Sequence, residues 1–422
     1  MFRTDFLGFT SKIVEHSCYL PGSTKVDETT TIPQPTHPPT KSIVKIVTSW
    51  PMQGAMISEG TAMKQAVDLA VRHYGGEIAG YKIEVINQDD ASPITGNWDS
   101  KVEVEIAQKA VSDPDVMVYL ATYNSGAAKL SMPIMNKAGL VQITPANVYP
   151  GLTKPGFGTG EPSIYRPSGK VNYFRTHPAD DIQGAAAAAW AKCLRHKKIY
   201  VLDDRQLYGK GIADMFLSSA RKLGLEIAGY DSVEVMGVDF RALLTKVKAS
   251  GADLVYGGFI IDSGGAQVLQ QMKALGLFNQ KVKFMGPDGL YSPDTIEQAT
   301  PAAANDNVYV TFAALPPDKL TTDVGKRFYK DYVETYKSEP IGWSVYAYQA
   351  AIVGLEAIKR TGKKDRVALL EAIRQTKNFE GITGKFSFNE NGDTDRTDMG
   401  GWVVKNGKFV YAQNISATME CK

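Results

Sequence analysis

Two periods of apolar spacing alternate along this chain. Residues 42–47 are a β-branched run, and residues 60–74 follow with Ala62, Met63, Ala66, Leu69 and Ala70 at the three- and four-residue steps of a helix. Residues 81–86 alternate as a strand does, and 99–111 return to the helical spacing. Residues 116–120 are apolar throughout, the signature of a strand buried on both faces. Residues 127–138 read as helix and 140–143 as strand. This strand–helix series predicts a parallel sheet covered by helices on both faces, and ligands of such sheets bind beyond the carboxyl ends of the strands.

A stretch from 150 to 169, with 4 prolines and 5 glycines in 20 residues, breaks the series as a domain boundary or a long excursion would. The alternation then resumes. Helices are expected at 181–193, 209–223, 240–249 and 266–275, and strands at 198–202, 225–230, 254–256, 282–285 and 308–310. Helical stretches at 323–336, 344–360 and 366–375 follow. The end, at 385–388, 401–404 and 409–411, reads as antiparallel strands with Asn406-Gly407 as a hairpin turn. The inferred fold class is α/β: two Rossmann-like lobes with parallel sheets, joined by a hinge of more than one crossing.

The 422 residues suit two or three domains. Residues 1–42 stand apart, because positions 21–42 hold 5 prolines and 6 threonines and almost no apolar periodicity. Such a segment buries too little to offset its ordering entropy and reads as a disordered tether or a targeting remnant. Cys18 stands before it, where an acylated cysteine with a Thr/Pro-rich spacer would place it. Polar residues interrupt any signal-peptide core, so no clear signal peptide is visible, and an ordinary cysteine in a disordered tail is the alternative. No apolar run approaches 18 residues, so no transmembrane helix is expected. Lysine plus arginine number 47 against 45 acids, a net charge of +2, which argues against a nucleic-acid partner.

Chemistry-bearing motifs are few. Cys18, Cys193 and Cys421 are widely spaced and make no zinc set; one bridge could form, but spacing does not say between which pair. Cys193, in an alanine-rich helix, reads as a semi-buried thiol. The five histidines form no HExxH, there is no Walker loop and no GxSxG elbow. Gly156–Gly160 has no strand before it and no helix after it, and reads as a mobile loop. Asp89-Asp90 and Asp203-Asp204 end strands, where they could catalyse or, more simply, shape the next turn. With no acid–base or nucleophilic set assembled, the sequence points to a binder: no enzyme, no cofactor and no metal.

Several segments in order then resemble one family. These are Ala79–Asp90 with its acidic end, Tyr173-Phe174-Arg175 followed by Asp180–Gly184, Ile199–Gly211 with its YGxG, Phe284–Gly289, and Gly384–Asp393. Together they resemble the periplasmic binding proteins of the leucine/isoleucine/valine type, the ligand-capturing components of ABC importers, over about residues 43–411. The resemblance implies the type I periplasmic binding fold, with one lobe of residues 43–175 plus 312–385 and a second of 176–311 plus 386–416. It implies an extracytoplasmic or periplasmic location, with membrane anchoring left open, and an ABC transporter permease as partner. Nothing demands more than a monomer. A ligand-sensing domain of the same fold, regulating a partner protein, is the alternative.

The resemblance also implies contacts. Ser125 matches the serine that holds the ligand carboxylate, a role that suits a hydroxyl at a helix start, although a helix cap would look alike. Ala146, in Thr144-Pro145-Ala146, matches the segment that meets the head group. Val148 stands where a threonine hydroxyl often contacts the ligand, a departure that leaves the head group open. Tyr208 and Phe259 match pocket aromatics, with plain core packing as the alternative. Asp288 matches the acid that pairs with the ligand ammonium; a turn-stabilising aspartate is the alternative. Trp50 and Met56 would form an apolar wall or belong to the core. The implied ligand is a small molecule, an amino acid (branched-chain or related) or an amide-like small carboxylate.

Overall fold

A computed structural model describes residues 42–421, apart from residues 235–238 and Ala314. The expectations for residues 1–41, the tether and Cys18 among them, lie outside the described residues. The strands are β1 (Ile43–Ser49), β2 (Glu77–Ile78), β3 (Tyr81–Gln88), β4 (Val116–Ala121), β5 (Val141–Thr144), β6 (Tyr173–Arg175), β7 (Lys198–Asp203) and β8 (Glu226–Ser232). They continue with β9 (Leu254–Gly258), β10 (Lys283–Gly286), β11 (Val308–Phe312), β12 (Phe379–Gly381), β13 (Gly384–Phe386), β14 (Met399–Lys405) and β15 (Lys408–Ile415). The helices are α1 (Ile57–His73), α2 (Ser100–Ser112), α3 (Ser125–Lys137), α4 (Asp180–Cys193), α5 (Leu207–Lys222) and α6 (Arg241–Ala249). After them come α7 (Gly265–Ala274), α8 (Pro293–Gln298), α9 (Pro301–Ala304), α10 (Asp323–Tyr336), α11 (Gly342–Thr361) and α12 (Arg366–Arg374).

Two large sheets and the antiparallel pair β12-β13 organise the strands. The first runs β2-β3-β1-β4-β5-β6 and is parallel except at the β2 edge. The second runs β15-β14-β11-β10-β9-β7-β8 and is parallel from β8 to β11, with β14 and β15 added antiparallel. Both are therefore mixed sheets of parallel majority. The central β4 is buried at every residue, as a strand covered on both faces must be. Local chemistry sets the boundaries. Asp99 caps α2 by accepting from the N–H groups of Lys101 (2.9 Å) and Val102 (3.0 Å). Asn406 and Gly407 both take positive φ, 51° and 70°, the turn that matches the twist of β14 and β15.

Helices close over the sheets at short range. α11 lies against α1 and over the first sheet, where Gly354 meets Val118 and Ile143. α4 lies against α5; a Cβ on Gly184 would fall 2.9 Å from the main-chain nitrogen of Phe216, so only glycine lets the two axes approach. Between the sheets the chain passes after β6, again after β11, and again after β13. Two of these passes are bonded together, with Arg175 N–H donating to Gly392 O (2.9 Å) and Thr394 N–H donating to Arg175 O (3.0 Å). There the Arg175 guanidinium, wholly buried, lies 3.1 Å from Asp393 and donates to Tyr149 O and Thr153 Oγ1.

Cys193 corrects an expectation. At the end of α4 it is bonded to Cys421, so it is one half of a disulfide that closes a separation of 228 residues and not a plain thiol. Alanine-rich helical context carried no information about a partner so far along the chain. Cross-linking residues so distant restricts the unfolded chain strongly, and Cys193→Ser should cost about 2–4 kcal/mol. Urea unfolding of the oxidised protein and the variant measures this; equal midpoints would show that the bridge stabilises nothing.

Candidate functional site

The site is built where β4 and β5 end. From β4 the chain turns through Thr122, Tyr123 and Asn124 into α3, whose first residue is Ser125. Asn147 locks that turn, its amide donating to Tyr123 O (2.8 Å) and Thr122 Oγ1 (3.2 Å). At the end of β5 the Thr144 hydroxyl accepts from Ala146 N–H (3.1 Å) and Asn147 N–H (2.8 Å), which holds the Thr144-Pro145-Ala146 segment in a fixed bend. Ser125 occupies the first helical position, so it is not the cap; its hydroxyl lies 3.4 Å from Tyr149 N.

Facing these groups are the ends of β9 and β10 and the start of α5. Gly209 explains the approach: a Cβ there would sit 2.4 Å from Gly258 O, so glycine lets α5 begin directly on the end of β9. Tyr208 is thereby set beside Asp288. Its hydroxyl donates to Asp288 Oδ1 and accepts from Gly289 N–H (2.9 Å). From α11, Trp343 joins them, anchored by its main-chain N–H donating to Glu59 Oε1 (2.9 Å). The resulting cavity is small, about 20 Å³, with Tyr123, Asn124, Ser125 and Ala146 on one side, Tyr208, Ile260, Asp288 and Gly289 on the other, and Trp343 completing it.

The cavity lining contains no lysine, arginine or histidine among the described residues. Burial pushes the Asp288 carboxyl up to about 7, although Tyr208, Gly289 N–H and Gln183 all pull toward the ionised form. Behind it Asp180 is wholly buried, and neither carboxylate oxygen has a hydrogen-bond partner. Burial and then the charge of Asp288 hold Asp180 well above the usual carboxylate range. A buried acid without a cation is costly, so this arrangement favours a ligand that brings positive charge to Asp288. No group of three or more acidic, histidine or cysteine side chains able to hold a metal occurs among the described residues.

Of the eight residues singled out from the sequence, the cavity brings together Ser125, Ala146, Tyr208 and Asp288. The others lie elsewhere. Phe259 is fully buried, with its ring against Gly257, and Ile260 takes the cavity side in its place. Successive residues of an extended chain point to opposite sides, so a one-residue offset exchanges pocket for core. Val148 is a core residue whose carbonyl accepts from Asp180 N–H (2.9 Å). Trp50 and Met56 are in the core as well, the Trp50 indole donating to Gly60 O (3.1 Å). Asp89 and Asp203 shape turns, accepting from Ala91 N–H and Arg205 N–H. The Gly156–Gly160 loop is gathered around Glu161, which accepts from Tyr149 (2.9 Å) and Tyr165 (2.6 Å).

Sequence reasoning missed Tyr123, Asn124, Ile260, Gly289 and Trp343. Asn124, Ile260 and Gly289 adjoin residues already singled out, and Tyr123 is two before Ser125, so proximity could have found them. Trp343 had no such neighbour; it opens a helix that reads as packing throughout. Trp98 lies beside the site, its indole donating to Gln206 Oε1 (3.0 Å) while its ring covers Gly126, the neighbour of Ser125. A larger groove of about 740 Å³ beside His73, Arg327 and Glu356 contains none of the eight residues.

Comparison with known proteins gives consistent matches. The periplasmic binding protein family matches residues 43–407. The Leu/Ile/Val-binding protein homolog 1 of Brucella suis biovar 1 is 27% identical over 372 residues, 86% of this chain and 91% of that protein. The leucine-, isoleucine-, valine-, threonine-, and alanine-binding protein of Pseudomonas aeruginosa is 28% identical, over 84% of this chain and 88% of its own. Among solved structures, the branched-chain amino acid transporter substrate binding protein of Streptococcus pneumoniae, in complex with isoleucine, superposes with a TM-score of 0.77. It is 25% identical and covers 89% of this chain and 100% of that one.

Proposed function

This chain belongs to the periplasmic binding protein family, and from that premise we propose that it captures an amino acid outside the cytoplasm and hands it to the permease of an ABC importer. The observation that carries this reading is the cavity with Ser125, at the start of the 13-residue α3, on one wall and Asp288 on the other. A helix start with a hydroxyl that can still donate suits a carboxylate, and a buried aspartate suits an ammonium. An α-amino acid carries both on one carbon. The relatives named for leucine, isoleucine, valine, threonine and alanine support the same class.

The lobes are proposed to divide as residues 43–175 with 312–385 and 176–311 with 386–416, and to close over the ligand about the crossings at Arg175 and Asp393. The disulfide supports an oxidising, extracytoplasmic compartment. No helix among the described residues is long and apolar enough to cross a membrane.

A thermal-shift screen against leucine, isoleucine, valine, threonine and alanine tests the reading. Any of them at 100 times its Kd should stabilise the fold by about 2.7 kcal/mol. A response to carboxylates lacking an amino group, with none to amino acids, would overturn it. Ser125→Ala should weaken the bound amino acid by about 1–2 kcal/mol, read by calorimetry, because one hydrogen bond to a charged group is lost; unchanged affinity would remove Ser125 from the site.

The pH dependence has a definite sign. With its pKa raised to about 7, Asp288 favours the folded, ligand-free protein in acid, and that contribution is lost as pH rises through about 7. A ligand ammonium favours the ionised form, so binding at pH 5–6 should release protons. Affinity should strengthen as pH rises from 5 toward 7 and then level. Calorimetry in two buffers of different ionisation enthalpy reads the proton release directly; none between pH 5 and 6 would contradict the pairing.

A further inference from the structure

One wall of the cavity carries hydrogen-bonding capacity that an aliphatic ligand would leave unused. Trp343 lines the cavity and is 2% exposed, and its indole nitrogen has no hydrogen-bond partner. An indole N–H can only donate. It lies near enough to the Tyr123 hydroxyl to ease that phenol's ionisation, but without the geometry of a hydrogen bond. Neither can it turn away. His177, Phe312 and Tyr346 pack against the ring at centroid distances of 5.2, 5.1 and 5.9 Å, and Tyr123 meets it edge-on at 6.2 Å. The main chain is fixed by Glu59 Oε1, and Glu59 Oε2, behind the same wall, is likewise buried without a partner. Burial pushes the Glu59 carboxyl up to about 8, so at neutral pH its protonated form is a donor as well.

A buried donor left unsatisfied is uncommon and costly, and at the wall of a ligand cavity the missing acceptor is most simply the ligand's own. We infer that Trp343 is a specificity-determining residue that donates its indole N–H to an oxygen on the ligand side chain, so that the site selects hydroxyl- or amide-bearing amino acids over aliphatic ones of the same shape. This rests on the reading of the site as an amino-acid receptor and adds the polarity of the side chain. A site built to hydrogen-bond a substrate oxygen rejects the analogue lacking it far more strongly than an apolar pocket rejects a change of one methyl group.

Two near-isosteric pairs make the test: threonine with valine, and asparagine with leucine, each titrated into the full chain by calorimetry. In at least one pair the oxygen-bearing member should bind ten or more times more tightly. Trp343→Phe, which keeps the ring and removes the N–H, should shrink that ratio at least fivefold. Valine and leucine binding as well as their partners in the unsubstituted protein would overturn the inference without any variant, and leave the amino-acid reading standing. A ratio unchanged in Trp343→Phe would overturn it equally. Binding of none of the four by a protein that still melts cooperatively would sink the amino-acid reading, and this inference with it.

Discussion

Asp288→Ala should weaken an ammonium-bearing ligand by about 2–5 kcal/mol, a loss on the order of 30- to several-thousand-fold in affinity. Its carboxyl is 2% exposed, held by the Tyr208 hydroxyl, and set in a cavity with no competing cation in the lining. Water cannot replace the lost partner while the cavity is shut, so the ammonium would be buried without a counter-charge. Asp180 behind it does not compensate, because it is outside the lining and is itself disfavoured as an anion. The sign reverses for a carboxylate ligand with no amino group, since removing a buried acid then relieves repulsion. Calorimetry on both ligand types decides: equal losses for both would mean that the substitution acts through cavity shape, and no loss for the amino acid would end the role assigned to Asp288.

Arg175→Met should destabilise the fold by about 3–5 kcal/mol, the usual cost of removing one partner of a buried ion pair. The guanidinium is 0% exposed, 3.1 Å from Asp393, and the Thr153 hydroxyl donates to the same carboxylate at 2.9 Å. Taking the arginine away leaves Asp393 without its 3.1 Å partner in the protein interior, with only the more distant charge of Arg166, and leaves Tyr149 O without this donor. The double variant Arg175→Met/Asp393→Leu should recover a large part of the loss, because no charge then stays buried alone. Urea unfolding of the two single variants and the double variant forms a cycle; a double variant as unstable as the sum of the singles would show that the pair is not coupled.

Much of the fold was legible because its signals are local. The period of apolar residues placed β1, β4, α2 and α10 within a residue or two of where they lie, and Asn406-Gly407 announced the final hairpin. The two residues of β2 are too few to show any period, and the edges of a sheet are set by which neighbours remain, not by the strand itself. Partnership across long separations left no trace either. Cys193 and Cys421 look alike whether bonded or free, and an alanine-rich surrounding says nothing about a tail more than two hundred residues on.

In the site, Ser125, Ala146, Tyr208 and Asp288 were legible because each sits at an element end with a recognisable neighbourhood: a turn into a helix, a Thr-Pro bend, a glycine pair, a Pro–Gly flank. Phe259 shows the limit. Ile260, its neighbour, lines the cavity instead, since family likeness locates a loop more reliably than it says which of two adjacent side chains turns inward. Trp343 shows another limit, because whether a helix-opening aromatic meets a core or a cavity depends on elements from elsewhere in the chain.

The hydrogen bond from Trp98 to Gln206 gives the protein its own optical signal. Trp50, Trp190, Trp343 and Trp402 are each 2% exposed or less, whereas Trp98 is partly exposed and bridges a segment beside α3 to the start of α5. Separation of those segments would strip its indole of both the amide partner and the cover of Gly126, and its emission would move to longer wavelength. The proposed closure on a ligand can thus be followed by intrinsic fluorescence in stopped flow, without a label, and Trp98→Phe separates its share of the change from that of the tryptophan lining the cavity.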